Sequence, residues 1–229
     1  MKHLVQIALG FVACSLMLTT PAFSQLKGNP ENFCRNGSFP RESKDYRLAK
    51  IKGAAGDTIY FHDDSKERCP ADPGCRLKTY VIPDDQVIVS RTLEKFACSW
   101  FQPRKGTDTV GWIETERLAW IESKRPTAER EWLGDWRAYG NSIRIAKAKT
   151  PGELSIKGEA SWGSGAATHT GELDHSAKPS ADKLNFGDGT DEYDCQVTMQ
   201  LVGPYLVVGD NLHCGGANVS FSGVYQKKR

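Results

Sequence analysis

The segment CQVTMQL, residues 195–201, decides the fold class, because its apolar side chains fall at every second position. Alternation with a period of two places these apolar side chains on one face of a β-strand. The turn residues Gly203-Pro204 follow, and the apolar run Leu206-Val-Val208 comes directly afterwards. Two short strands around a tight turn are typical of an antiparallel hairpin. We therefore expect an all-β protein.

Working outward from this hairpin, strands separated by turn residues recur from Trp132 to Tyr225. Roughly eight short strands at this spacing favour an up-and-down β-barrel, in which the last strand pairs with the first. The predicted domain covers residues 132–229. Residues 45–122 repeat the pattern on a smaller scale, with roughly five or six short strands that suit a small barrel. The charged, Pro-containing stretch 123–131 is predicted as a linker.

Composition limits the classes of function. The chain has 229 residues, with 30 Lys+Arg against 28 Asp+Glu, for a net charge of +2. A nucleic-acid-binding protein would normally carry a strong basic excess, so we expect no nucleic-acid partner. Hydrophobic residues make up 39% of the chain, which argues against a disordered protein.

Residues 1–24 have the pattern of a signal peptide. A short basic start precedes an apolar stretch from Leu4 to Leu18, and the small-x-small site Ala22-Phe-Ser24 follows. The apolar stretch is too short for a bilayer span. Lipidation at Cys14 is disfavoured, because Cys14 lies in the middle of the apolar stretch. We expect a periplasmic or secreted bacterial protein with no membrane span after cleavage, in which residues 25–44 form an N-terminal tail.

The six remaining cysteines predict three disulfides, since an even number in an exported chain is typical of a disulfide framework. Four lie before residue 100 and two lie after residue 190, so we expect Cys195 to pair with Cys214. The first four allow three pairings. Cys69 and Cys75 flank a short Pro- and Gly-containing turn, and their pairing would leave Cys34 with Cys98. The alternative, a zinc or redox site, lacks the close cysteine pairs that such sites use.

The segment from Asp84 to Leu118 resembles the C-terminal half of a bacterial SH3-like (SH3b) domain. The matching elements are, in order, Val87-Ile-Val89, Cys98-Ser-Trp-Phe101, Gly106, Gly111-Trp-Ile113 and Leu118. The front half departs from the family pattern and carries a cysteine-bearing insertion from Lys66 to Cys75. The resemblance implies a non-catalytic module that binds cell-wall peptides or other proteins. The candidate binding residues are the aromatics Tyr60, Tyr80, Trp100 and Phe101. The alternative is that Trp100 and Trp112 are core residues, since large aromatics supply much of the buried area of a small domain.

The second half resembles lipocalin-like and avidin-like barrels, on the evidence of Gly134-Asp-Trp136 at its start and its overall layout. Residues 214–225, CGGANVSFSGVY, are similar to the tail of exported SH3-domain proteins of Gram-negative bacteria. The implied fold is therefore an SH3-like small barrel followed by an up-and-down, lipocalin-like or avidin-like barrel.

Signatures of catalysis and of metal binding are weak. The best cluster is His169-Thr-Gly-Glu172-Leu-Asp174-His175, but Glu172 is at odd spacing from His169 and so faces the opposite side of a strand. Residues 187–194 lack the ligand pattern of a calcium loop. We expect no enzyme activity, no metal and no cofactor. The leading hypothesis is a periplasmic binding module for a cell-wall component or a periplasmic protein, and the alternative is an inhibitor of a lysozyme or protease.

Overall fold

A computed structural model describes residues 28–122 and 128–228. The predicted signal peptide and Cys14 lie outside the described residues, as do residues 25–27 of the predicted tail and 123–127 of the predicted linker. The described residues form an all-β fold of two antiparallel sheets. No helix in the described ranges is long and apolar enough to cross a membrane.

The first sheet contains seven strands in the order β3-β2-β6-β5-β4-β1-β7. Their bounds are β1 Arg47–Ile51, β2 Ile59–His62, β3 Arg76–Val81, β4 Gln86–Leu93, β5 Phe96–Phe101, β6 Thr109–Glu114 and β7 Leu118–Trp120. Single turns of 3-10 helix lie at Pro30–Asn32, Phe39–Arg41, Pro73–Cys75 and Thr115–Arg117 in this half, and at Glu129–Glu131 and Gly165–Ala167 later in the chain.

Alternation along the strands of the first sheet gives it two buried faces. In β2, for example, Ile59 and Phe61 point into one apolar core, whereas Tyr60 and His62 face the other side. Trp112 and Phe96 lie on that other side, in a second apolar cluster beneath the N-terminal segment. Both faces of the sheet therefore carry buried side chains.

The second sheet contains eight strands in the order β11-β10-β9-β8-β15-β14-β13-β12. Their bounds are β8 Gly134–Ala138, β9 Asn141–Lys147, β10 Leu154–Trp162, β11 His169–Ala177, β12 Lys183–Gly187, β13 Gln196–Val202, β14 Tyr205–Asp210 and β15 Gly223–Lys227. The last strand, β15, pairs with the first, β8, as the sequence predicts.

The second sheet is nearly barrel-shaped. Its two end strands, β11 and β12, are not hydrogen-bonded neighbours in the strand order. Side chains join them instead: the rings of His175 and Phe186 lie 4.8 Å apart, and His175 Nε2 lies 3.2 Å from Asp188 Oδ1. Inward-facing side chains such as Trp136, Met199 and others of the core cluster pack the interior.

The N-terminal segment, residues 28–44, packs between the two sheets. Phe39 is fully buried in the same cluster as Trp100 of the first sheet and Val207 of the second. A Cβ atom at Gly209 would lie 2.5 Å from the Pro40 carbonyl oxygen, so β14 approaches this segment at a glycine. The predicted tail thus contributes an apolar layer that joins the sheets.

The structure contains three disulfides, Cys34–Cys98, Cys69–Cys75 and Cys195–Cys214. These are the pairs expected from the sequence. The first connects the N-terminal segment to β5, the second closes the insertion before β3, and the third ties the start of β13 to the segment after β14. Disulfides of this kind are consistent with an oxidising, exported location.

Candidate functional site

A small cleft opens on the first sheet where strands β2, β3 and β6 meet. Its volume is about 270 Å³, and its lining residues come from these strands and the turns beside them: Asp57, Thr58, Ile59, Tyr60, His62, Arg76, Glu114 and Arg117. His62, one of the lining residues, lies on the same face of the sheet as Trp112, with which it pairs.

Strand register places the functional side chains side by side. His62 pairs with Trp112 of β6, and continuing that register by two residues brings Tyr60 opposite Glu114. On the other side, Tyr60 pairs with Tyr80 of β3, and a β-bulge then shifts the register so that His62 pairs with Arg76. Directly opposed residues in an antiparallel pair share a face. The bulge therefore brings Arg76 to the cleft, as bulges often re-aim a side chain.

Two tyrosines form an aromatic platform beside the cleft. The rings of Tyr60 and Tyr80 lie 6.0 Å apart in an edge-to-face arrangement. The Arg76 guanidinium lies 3.9 Å from the centre of the Tyr60 ring. Tyr60 is half-buried, whereas Tyr80 is 54% exposed. This platform presents an open aromatic surface next to a positioned cation.

Charged groups of both signs line the cleft without pairing. Arg76 and Arg117 carry positive charge, and Asp57 and Glu114 carry negative charge. Within residues 28–122 and 128–228, none of these four side chains forms an ion pair. Asp57 Oδ2 accepts a hydrogen bond from the backbone N–H of Ala54 at 2.9 Å, which holds the carboxylate in place. Two cations and two anions therefore remain available to a ligand.

His62 also lines the cleft. Its Nδ1 lies 3.1 Å from the carbonyl oxygen of Pro70, and because a carbonyl only accepts, Nδ1–H is the donor in that bond. Its ring packs on Phe96 at 5.3 Å. These contacts fix the ring, and Nε2 has no hydrogen-bond partner among residues 28–122 and 128–228.

The structure brings two of the four predicted binding aromatics together and separates the other two. Tyr60 and Tyr80 form the platform. Trp100 is only 3% exposed, and its ring packs on Tyr205 of the second sheet at 5.2 Å. Phe101 is half-buried against the inner core of the first sheet. Trp100 therefore acts as a core residue between the sheets and does not reach the cleft.

Trp100 also takes part in a polar link between the sheets. Its Nε1–H donates to Asp108 Oδ2 at 2.5 Å, and the Tyr139 hydroxyl of the second sheet donates to the same oxygen. Burial of the hydroxyl end, together with the hydrogen bond to Asp108, raises the pKa of Tyr139. The protonated Tyr139 hydroxyl therefore donates to the Asp108 carboxylate, and this hydrogen bond holds the turn between β8 and β9 against the first sheet.

Sequence reasoning missed the charged residues of the cleft. The alternation of Thr58-Ile-Tyr-Phe-His62 would have placed Tyr60 and His62 on one face, opposite Ile59 and Phe61. No comparable signal marks Arg76, because its position depends on the bulge opposite β2. Arg117 and Glu114 reach the cleft through the pairing of β6 with β2, which no local pattern reveals.

The histidine cluster considered for metal binding is dispersed. His169 packs beside Trp162, with ring centres 6.1 Å apart, whereas His175 packs on Phe186. Asp174 pairs with Lys157 at 3.0 Å. Among the described residues, one group that could hold an ion consists of Asp63, Cys69 and Cys75, but both cysteines are bonded to each other in a disulfide.

A second surface lies on the acidic loop 188–194, between β12 and β13. Asn211 Nδ2 donates to the carbonyl oxygens of Glu192 and Asp194, at 3.4 and 2.7 Å, so the loop is held against the segment after β14. The Cys195–Cys214 disulfide lies at its base. Tyr193 is 73% exposed near its tip, with the His213 ring 5.6 Å away.

Comparisons with known proteins identify no relative. The chain matches no protein-family model, no curated protein sequence and no solved structure.

Proposed function

We propose that the protein is a non-catalytic binding protein, in which an SH3-like barrel formed by the first sheet recognises a cell-wall peptide or a protein partner. The second sheet is, in this proposal, a lipocalin-like barrel that supports it. The SH3-like assignment draws support from seven short antiparallel strands, one face of which packs on an apolar core of its own. The nearly closed second sheet, with its last strand on its first, supports the second assignment.

The observation that carries the proposal is the cleft beside the Tyr60–Tyr80 platform. Tyrosine rings supply contact area with little loss of side-chain freedom, and a small number of charged groups then fixes the orientation of a ligand. A peptide can make both kinds of contact, with the tyrosine rings and with the charged groups, since it presents apolar and charged groups at short spacing. Periplasmic or secreted location after removal of residues 1–24 completes the proposal, and the three disulfides agree with it.

Sedimentation with purified peptidoglycan tests this function. We expect the mature protein to sediment with the insoluble wall in a salt-resistant manner, because aromatic contacts are not screened by salt. Substitution Tyr80→Ala should release the protein, since Tyr80 is 54% exposed and its removal does not disturb the core. Trp162→Ala is the matched control, because Trp162 is 50% exposed on the second sheet and far in sequence from the cleft. Equal sedimentation of both variants would contradict the assignment of the site.

A second candidate function is inhibition of a lysozyme or protease, which the loop 188–194 favours. Inhibitors of this kind project a rigid loop from a disulfide-bonded β-domain. Here the loop is hydrogen-bonded to Asn211 and presents Tyr193 at 73% exposure. Preorganisation of this sort lowers the entropic cost of binding.

Enzyme titration distinguishes the two candidates. If the protein is an inhibitor, near-stoichiometric amounts should abolish turnover by a lysozyme or a protease, and Tyr193→Ala should restore it. Tyr80→Ala, at the other surface, should leave inhibition unchanged. Full turnover at excess protein would reject inhibition of the enzymes assayed.

A further inference from the structure

We propose that the cleft recognises an α-amino-acid end, in which one carbon atom carries both an ammonium and a carboxylate group. This inference rests on the proposed function of the cleft as a peptide site and specifies which part of the peptide it holds. The juxtaposition of Arg76 and Arg117 with Asp57 and Glu114 around one small volume carries the inference.

The two arginines provide the carboxylate half of the site. Arg76 is held by its stacking on Tyr60, at 3.9 Å, which leaves the edge of the guanidinium plane open. Arg117 ends a 3-10 turn whose backbone is fixed, because its carbonyl oxygen accepts a hydrogen bond from the N–H of Lys52 at 2.8 Å. A guanidinium edge matches a carboxylate with two parallel hydrogen bonds.

The two acids provide the ammonium half. Glu114 is half-buried in the cleft wall and has no ion-pair partner among the described residues. Asp57 uses Oδ2 for the backbone N–H of Ala54, which leaves Oδ1 as an acceptor. An ammonium group carries three N–H donors, so it can be shared between the two carboxylates.

The balance of charge excludes simpler ligands. The four side chains sum to zero net charge, so an anion such as phosphate would gain from the arginines but be repelled by the two carboxylates. An amine without a carboxylate would be attracted by the two carboxylates but repelled by the two arginines. A ligand that carries both charges satisfies all four groups, because unlike charges a few ångströms apart attract strongly at a partly desolvated surface.

The volume of the cleft suits the end of a single side chain. Its volume of about 270 Å³ is slightly below the range of roughly 300–1,000 Å³ that holds drug-sized ligands. The cleft therefore takes the end of one side chain, while the rest of the peptide lies outside. Tyr80, which is exposed at the rim, is placed to contact that remainder.

Calorimetric titration of the mature protein with three matched stem tripeptides tests the inference. The first ends in diaminopimelate and carries the ammonium and carboxylate together. The second has lysine in its place, so the side chain ends in an ammonium alone. The third is the diaminopimelate peptide with that amine acetylated, which leaves the carboxylate alone. We expect the second and third peptides to bind at least about tenfold more weakly than the first, since each loses one set of charged hydrogen bonds.

Charge-removing variants provide the sharper test. Glu114→Gln should weaken binding of the first and second peptides and leave the third unchanged. Arg117→Gln should weaken binding of the first and third and leave the second unchanged. Glu116→Gln is the control, because Glu116 is exposed, lies beside both residues in sequence and does not line the cleft.

The outcomes separate this inference from the proposed function. If all three peptides bind equally and Tyr80→Ala weakens each of them, the cleft is a peptide site but the inference about the amino-acid end is overturned. If none of the peptides binds and the protein does not sediment with peptidoglycan, the proposed function fails and the inference fails with it.

Discussion

At the scale of single residues, Gln200 is the clearest case of a polar side chain with a structural role. It lies on the outward face of β13 yet is only 6% exposed, and its amide is bonded to Tyr46 and Asp182. Its Oε1 accepts from the Tyr46 N–H at 2.8 Å, and its Nε2 donates to Asp182 Oδ2 at 2.9 Å and to the Tyr46 carbonyl at 3.2 Å. One amide thus links the second sheet to β1.

Substitution Gln200→Ala should lower the free energy of unfolding by about 2 kcal/mol, since it leaves buried backbone groups of Tyr46 without partners. Urea denaturation followed by circular dichroism measures the change. Gln226→Ala is the matched control, because Gln226 is an exposed glutamine in β15. A loss at Gln200 no larger than at Gln226 would show that water satisfies the Tyr46 groups.

Glu42 predicts a dependence of stability on pH. Burial raises the pKa of its carboxyl above the ordinary value of 4.5, and the Arg91 ion pair, at 3.6 Å, offsets only part of this effect. The folded protein therefore retains this proton to a higher pH than the unfolded chain does. The stability contributed by Glu42 is greatest below the unfolded pKa and falls as the pH rises through the raised folded value.

The substitution Glu42→Gln removes this titration. We expect the variant to be more stable relative to the wild type at about pH 7 than at about pH 4, as measured by urea unfolding at both values. The exposed control Glu116→Gln should show no such difference. An identical difference in stability at both pH values would mean that the pKa of Glu42 is the same in the folded and the unfolded chain.

At the scale of elements, the three disulfides close loops of very different length. The sequence separations are 64 for Cys34–Cys98, 19 for Cys195–Cys214 and 6 for Cys69–Cys75. In the chain-entropy model, a longer loop restricts the unfolded chain more. The disulfide that holds the N-terminal segment should therefore contribute most to stability.

Replacing each pair by serines should reveal this order. We expect losses of about 4, about 3 and about 2 kcal/mol in the free energy of unfolding for the loops of decreasing length. Chemical denaturation of the three double variants gives the values. The reverse order would indicate that contacts in the folded state, and not the entropy of the unfolded chain, dominate the contribution of these bonds.

Elements with clean alternation could be predicted from the sequence, and others could not. The strand at Gln196–Val202 shows the period-two pattern in its sequence, and its hairpin partner could be recognised as a short apolar run after the Gly203-Pro204 turn. Strand β1, Arg47–Ile51, escaped prediction because two adjacent positions, Leu48 and Ala49, are both buried, one on each covered face of the sheet. Alternation disappears where both faces are buried.

The candidate site was only half predictable for a related reason. Tyr60 and Tyr80 could be selected as aromatics on short strands. The charged side chains of Arg76, Glu114 and Arg117 come together through pairing between strands that are distant in sequence, and a bulge sets the position of one of them. Such pairings depend on the complete sheet and leave no local pattern.

At the scale of the whole molecule, the apolar layer between the sheets couples them. Phe39 from the N-terminal segment, Trp100 from β5 and Val207 from β14 belong to one buried cluster. The sequence predicts two separately closed halves, because each half has its own disulfides and its own run of strands. The shared layer arises from residues 28–46, whose irregular sequence gives no sign of where they pack.

Because one buried cluster includes side chains of both sheets, we expect the two sheets to unfold in a single cooperative transition. Circular dichroism and tryptophan fluorescence should give coincident curves in urea. The variant Val207→Asp places an unpaired carboxylate in the layer and should split the transition in two. Ser161→Asp, on the exposed end of β10, should leave a single transition. Two separate transitions in the wild type would show that the layer transmits little energy.

The bond from Gln200 to Tyr46 spans 154 positions of the chain, and Val224 closes the same layer from β15. During synthesis, the segment around Phe39 and Tyr46 emerges early, whereas β13, β14 and β15, which supply part of its cover, are made last. Its aromatic side chains therefore lack that part of their cover until the polypeptide is almost complete. We expect slow acquisition of the native state, as is usual when long-range contacts dominate, and a period in which a holding chaperone protects this segment from aggregation.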